Sequence, residues 1–218
     1  MSNFSSEASL AESRVIELAD PKNPTQKAWQ QIDEKDGAVV EFAEPPPHTG
    51  SYRVTYLMKG VTVDQVAQIL WNNDHILALS TSLSEIKALN KLSDNEEIVA
   101  HMHKSPAFGV SKRDYLIARK FDKREDGSVI IAQKSVVDHS LFPEQSGYVR
   151  GDLLCSGYVI KPVKKPNETT ASSCHVTYVI QTDVKGWIPD FVKKMANSQL
   201  TTQLLNLYAY VKKLFGIN

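Results

Sequence analysis

The chain has 218 residues, 42% of them hydrophobic, enough to bury a large core and short enough to form one domain over residues 1–218. Its 25 lysines and arginines balance 25 aspartates and glutamates, so no net field draws it onto nucleic acid, and any membrane contact has to be local. No apolar run approaches the roughly 20 residues needed to span a bilayer, and the acids and serines of residues 1–20 lack the basic flank and apolar centre of a signal peptide.

The expectation is therefore a cytoplasmic protein, peripheral at membranes. Cys155 and Cys174 read as small buried hydrophobes rather than a disulfide or metal pair, because only His175 stands near them as a further ligand. No metal and no cofactor is expected.

In chain order, Leu10, Val15, Ile16, Leu18 and Ala19 have helical spacing up to the break at Asp20-Pro21, and the pattern resumes around Trp29 and Ile32, which predicts a kinked N-terminal helix. Val39–Phe42 and Tyr52–Leu57 are rich in β-branched and aromatic residues and flank a proline-rich turn, so they read as paired strands. After Gly60, Val63, Val66, Ile69 and Leu70 share one helical face, with Thr62 as N-cap.

From about Leu83 to Val184 the period changes to two. Runs at Ile98–His103, Tyr115–Phe121, Val129–Val137, Tyr148–Val163 and His175–Ile180 have no helical stretch between them, which predicts an antiparallel meander. The chain closes with apolar residues at three- and four-residue steps from Ile188 through Val192, Met195, Leu200, Leu204, Leu207 and Val211 to Leu214, a long amphipathic helix with Pro189 in its first turn. Such a stripe needs a large apolar surface, and the sheet supplies it. The fold class is α+β.

One strand carries an anomaly. Arg119 shares a strand face with Tyr115, Ile117 and Phe121, and a guanidinium on an apolar face has to find a partner or water. It either sits in a cavity and holds a ligand's polar end, or pairs with an acid at the sheet edge. His101 and His103 alternate on a neighbouring strand with Val99 and Glu97; they either supply hydrogen bonds to a ligand or form a solvated face. Leu141 and Phe142 are large apolar residues in a turn, so they either make a lip that touches membrane or plug the core beneath the loop. No nucleophile elbow, phosphate loop or metal signature is present.

Several local patterns then coincide with the StAR-related lipid-transfer (START) family over roughly Trp29 to Leu214. Arg113-Asp114-Tyr115 followed by Arg119 resembles the family's Arg-Asp-aromatic strand with its second arginine. Pro143-Glu144-Gln145, Val149-Arg150-Gly151 and Ser156-Gly157 resemble its Ω-loop and following strand, and Asp183-Val184-Lys185-Gly186-Trp187-Ile188-Pro189 is similar to its entrance to the C-terminal helix, nearest the sterol-binding branch. Leu79-Ser80 stands where many relatives have Trp-Asp, and where sterol carriers place an acid opposite the second arginine the nearest match is His101, then His103.

The resemblance implies a helix-grip fold, a curved antiparallel sheet of about nine strands wrapped around a long C-terminal helix with an internal apolar cavity. It implies a monomeric, non-enzymatic carrier that encloses one lipid, sterol favoured. The alternatives are a phosphatidylcholine-like carrier or lipid sensor, and after these a helix-grip enzyme. The ligand would be lined by Arg119, His101, His103, Tyr115, Ile117, Trp187, Tyr158, Tyr178, Val192 and Met195, with Leu141 and Phe142 at the lip in transient contact with a membrane.

Overall fold

The computed structural model describes residues 4–22, 29–43, 50–166 and 169–217, and for 190–198 the backbone alone. In chain order the elements are α1 (Phe4–Ala19), β1 (Gln30–Lys35), β2 (Ala38–Ala43), β3 (Ser51–Lys59), α2 (Val63–Trp71), α3 (Asn73–Leu79), β4 (Leu83–Ser93), β5 (Glu96–His103), β6 (Lys112–Lys123), β7 (Val129–Ser135), β8 (Tyr148–Arg150), β9 (Asp152–Val163), β10 (Ser173–Asp183) and α4 (Asp190–Phe215).

Nine strands form one curved antiparallel sheet in the order β1-β2-β3-β10-β9-β7-β6-β5-β4, and the short β8 pairs with the start of β6 in parallel. This is the helix-grip architecture. The strands after Leu83 form the expected antiparallel meander, β4-β5-β6-β7-β9-β10, and the break in chain order lies before it, where β3 pairs with β10 and the pair α2–α3 carries the chain across to the far edge at β4. That crossover is what places α2 and α3 over the sheet's inner face.

Two apolar layers follow from the period-two alternation of the strands. On the inner face Val129, Ile131, Tyr158, Ile160, Val176 and Tyr178 pack with Val66, Ile69 and Leu70 of α2 and with Leu204, Leu207 and Val211 of α4. On the outer face α1 lays Ala11, Val15 and Leu18 on Ile130, Ala132, Cys155, Val159 and Val179. Gly157 makes this close approach possible, since a Cβ there would collide with the Ile131 carbonyl and the Val15 side chain.

The start of α2 is fixed as its sequence suggests: the Thr62 hydroxyl accepts from Gln65 N, and the Gln65 side chain accepts from Thr62 N at 2.9 Å. The N-terminal region departs from expectation. The helix stops at Ala19, and Trp29 and Ile32 belong not to its continuation but to the approach and middle of β1, paired with β2 through a tight turn in which Asp36 and Gly37 take φ of 49° and 82°.

Helix α4 starts one residue after Pro189, which is its N-cap, and ends at Gly216 in the left-handed conformation. Its C-terminal half is tied down by Tyr208 Oη donating to the Lys59 carbonyl at 2.8 Å and by a 2.9 Å bond between Tyr210 Oη and His75 Nδ1 of α3.

Candidate functional site

Between the inner face, α3 and α4 the described residues line a cavity of about 520 Å³, within the roughly 300–1,000 Å³ range of small-ligand sites. Its apolar wall includes Leu70, Leu79, Ile117, Leu153, Ile180 and Leu207. Polar side chains are interspersed, among them Ser82, His101, His103, Tyr115, Gln133 and Gln203. Among the described lining residues none is Asp, Glu, Lys or Arg.

Most of these polar groups already have protein partners. Gln203 Nε2 donates to Tyr158 Oη at 2.9 Å, Ser156 Oγ donates to Tyr178 Oη at 3.4 Å, and the two tyrosine rings lie 4.7 Å apart. Burial raises both phenol pKa values, so both stay neutral. His103 Nδ1 and Ser82 Oγ are 3.2 Å apart. His101 stands between Ile86 of β4 and Tyr115 of β6 in strand register, is 8% exposed, and its buried Nε2 has no hydrogen-bond partner.

Burial, reinforced by the nearby Arg119 and by His103, pulls the His101 pKa down to about 3, and burial alone pulls His103 to about 4. Both imidazoles are neutral at pH 7. In the unfolded chain they take up protons near pH 6.5. Unfolding therefore binds protons below that pH, and stability present above about pH 6.5 is lost as the pH falls toward 4, at about 1.4 kcal/mol per pH unit for each proton. His175, depressed by burial and Lys161, adds a contribution of the same sign. Urea denaturation at pH 7 and pH 5 is expected to show a loss of about 4 kcal/mol from the cavity pair; a flat profile across that interval would mean the imidazoles are already solvated in the folded protein.

Arg119 does not line the cavity. It is 0% exposed and lies behind the wall, where Nη1 donates to Asn73 Oδ1 at 2.6 Å and Nη2 to the Trp71 and Leu70 carbonyls at 3.1 and 3.4 Å. Its guanidinium stacks 4.4 Å from the Trp71 ring centre. The acid opposite it is Glu97, its cross-strand partner, with Oε1 at 3.4 Å from Nη1. Neither His101 nor His103 fills that place. Arg119 thus fastens the C-terminal end of α2 and the start of α3 to the sheet.

The model of the START domain family matches residues 15–209. The chain belongs to the START domain family. It is 25% identical to the zebrafish (Danio rerio) mitochondrial steroidogenic acute regulatory protein over 83% of this chain and 62% of that one, and 26% identical to the mouse (Mus musculus) ceramide transfer protein over 86% of this chain and 30% of that one. The chain thus spans less than two thirds of the length of either. Human StAR-related lipid transfer protein 5 superposes with a TM-score of 0.80 at 20% identity, covering 97% of this chain and 100% of the other.

In this START domain the family's Arg-Asp pair is a structural device. Arg113 donates to the carbonyls of Ser111, Val184, Lys185 and Trp187, which holds the turn before α4, while Asp114 chelates Arg150 at 2.8 and 3.2 Å. Of the residues expected from sequence, His101, His103, Tyr115, Ile117, Tyr158 and Tyr178 come together on the cavity wall. Four do not. Arg119 lies behind it, and Trp187 is 72% exposed on the turn that Arg113 holds. Leu141 and Phe142 pack on the opposite face, where Phe142, 4% exposed, joins Ala8, Ile98, Leu116 and Val136 beneath α1, so the loop plugs an outer core rather than forming a lip. The side chains of Val192 and Met195 lie outside the described residues.

Ser82, Gln133, Ser156, Thr182 and Gln203 also line the cavity and escaped the sequence reading. Parity was the available signal for three of them. Gln133 and Ser156 alternate inward with Ile131 and Tyr158, and Thr182 follows Tyr178 and Ile180.

Proposed function

We propose that this START domain is a non-enzymatic carrier that encloses one lipid, sterol favoured, in the cavity beneath α4 and exchanges it at membranes as a monomer. The observation that carries this reading is the uncharged wall: the described lining residues contribute no formal charge, and both histidines are held neutral. A lipid phosphate taken into such a site would lose its hydration without gaining a cation, a cost that a hydroxyl does not incur. Family membership and the likeness to proteins named for lipid transfer support the same reading.

Enclosure matters because a lipid in water exposes several hundred Å² of apolar surface, worth on the order of 10 kcal/mol at about 25 cal/mol per Å². The barrier to leaving a bilayer falls when protein contact replaces that water contact.

The membrane-facing end is proposed to be the one where Arg113 bridges two loops. Phe108 is fully exposed on the β5–β6 loop, three residues before Ser111, and Trp187 is exposed on the turn before α4; Arg113 bonds carbonyls of both segments. Lys104 and Lys112 flank Phe108, so apolar anchors and basic charge coincide, as a bilayer surface requires. No described helix is long and apolar enough to cross a membrane.

Vesicle-to-vesicle transfer tests the reading. Cholesterol is expected to move faster than phosphatidylcholine in the presence of the protein. Movement of phosphatidylcholine without cholesterol would overturn the sterol assignment, and ligand-dependent binding to a protein partner without transfer would favour a sensor.

A further inference from the structure

The β5–β6 loop is held closed by one hydroxyl. Ser105 Oγ lies 2.6 Å from the Ala107 carbonyl oxygen and 2.5 Å from that of Val110, and Val110 N donates to the Ala107 carbonyl at 3.1 Å. A hydroxyl has a single proton to donate, so the two carbonyls share it. The turn closed in this way, with Gly109 at a φ of 78°, is what holds the Phe108 ring out in solvent. Ser105 is itself exposed, as are Pro106, Lys104 and Lys112. No other serine or threonine of the sequence is followed by proline. Proline biases the residue before it toward extended backbone and brings no N–H of its own. Proline-directed protein kinases select a hydroxyl by that combination.

We propose that Ser105 is a phosphorylation site for a proline-directed protein kinase, and that the phosphate releases the β5–β6 loop from an anionic bilayer. The proposal rests on the membrane-facing reading of Phe108 above. In the transfer, Ser105 Oγ bonds to the γ-phosphorus of a nucleoside triphosphate as the bond to the β–γ bridging oxygen breaks. The hydroxyl proton passes to the base of the kinase, and a nucleoside diphosphate leaves.

Two consequences follow for the loop. The shared proton is gone, and a group of roughly −1.5 to −2 charge now faces the carbonyl oxygens of Ala107 and Val110, so the turn that presents Phe108 opens. The phosphate also lies in sequence between Lys104 and Lys112 and offsets the basic charge that an anionic surface would meet. Both changes weaken membrane contact. None of residues 104–112 lines the cavity, so lipid held inside is left undisturbed.

The experiment compares the full chain carrying phosphoserine at position 105, installed during translation, with the unmodified chain on phosphatidylcholine vesicles with and without phosphatidylserine. Phosphoserine is expected to lower affinity for the anionic vesicles by about tenfold or more, while affinity for dehydroergosterol in solution stays within about twofold. Ser105→Ala, which removes the shared proton without adding charge, should lose only about two- to threefold. A proline-directed kinase supplied with ATP should place phosphate on Ser105 of the folded protein, located by mass spectrometry, and on Pro106→Ala place none there. Undiminished binding of the phosphoserine protein to anionic vesicles, or no phosphate at Ser105, overturns the proposal. Phe108→Asp separates this failure from that of the reading beneath it. If Phe108→Asp weakens vesicle binding and phosphoserine does not, the proposal alone falls. If Phe108→Asp binds as wild type does, the membrane-facing assignment falls and the proposal with it.

Discussion

Replacing Arg119 with leucine is expected to destabilise the protein by about 3–5 kcal/mol, the usual cost of removing one partner of a buried ion pair. Three separate contacts are lost. The Trp71 and Leu70 carbonyls at the C-terminal end of α2 lose their donor, Asn73 at the start of α3 loses another, and Glu97 loses its cation. Glu97 retains some solvent, its side chain being 19% exposed, so the carbonyls bear more of the penalty than the carboxylate does. A cation at a helix C-terminus also interacts favourably with the aligned peptide dipoles, and leucine cannot replace that.

Urea denaturation monitored by tryptophan fluorescence measures the loss. Sterol affinity of the folded fraction should change little, since the arginine does not reach the cavity. A leucine variant of wild-type stability with impaired lipid binding would place the guanidinium at the ligand after all.

The histidines and the arginine show what a sequence can and cannot convey about such a site. Inward parity was readable: Tyr115, Ile117 and Arg119 share a face of β6, and the fold does turn that face inward. Register was not. Whether Glu97 or His101 stands opposite Arg119 depends on how many residues the 104–111 loop takes up before β6 pairs with β5, and no local pattern fixes that length. The structure sets Glu97 against Arg119 and His101 against Tyr115, which separates the structural ion pair from the polar wall of the cavity.

At the N-terminus the missed signal was local. Asp36-Gly37 is a strong two-residue hairpin sequence, and it marks Gln30–Lys35 as a strand although that stretch is polar and wholly exposed. Hydrophobic periodicity favoured a helix there because Trp29 and Ile32 are three apart. By contrast, Thr62 marked the start of α2 correctly, because an N-cap hydrogen bond joins residues three apart and needs no tertiary context.

Phe142 is the case in which tertiary context decides everything. An aromatic residue in a Ser-Leu-Phe-Pro turn looks like an exposed lip, yet Ala8 and Phe4 of α1 cover it, and the Arg150 guanidinium lies 4.8 Å from its ring centre. Phe142→Asp is therefore expected to cost at least the roughly 3–5 kcal/mol of deleting a buried phenylalanine. A carboxylate gains little there, since Arg150 is already chelated by Asp114, and a second acid would compete for it while repelling the first. The matched substitution is Phe108→Asp. That ring is fully exposed, so stability should stay within about 0.5 kcal/mol of wild type, while lipid transfer between vesicles slows as the apolar anchor is replaced by a charge of the sign that anionic lipids repel. Chemical denaturation and vesicle transfer, measured on both variants, separate the two roles. A Phe142→Asp protein as stable as wild type but slow in transfer would return the membrane lip to the 138–147 loop and remove it from Phe108 and Trp187.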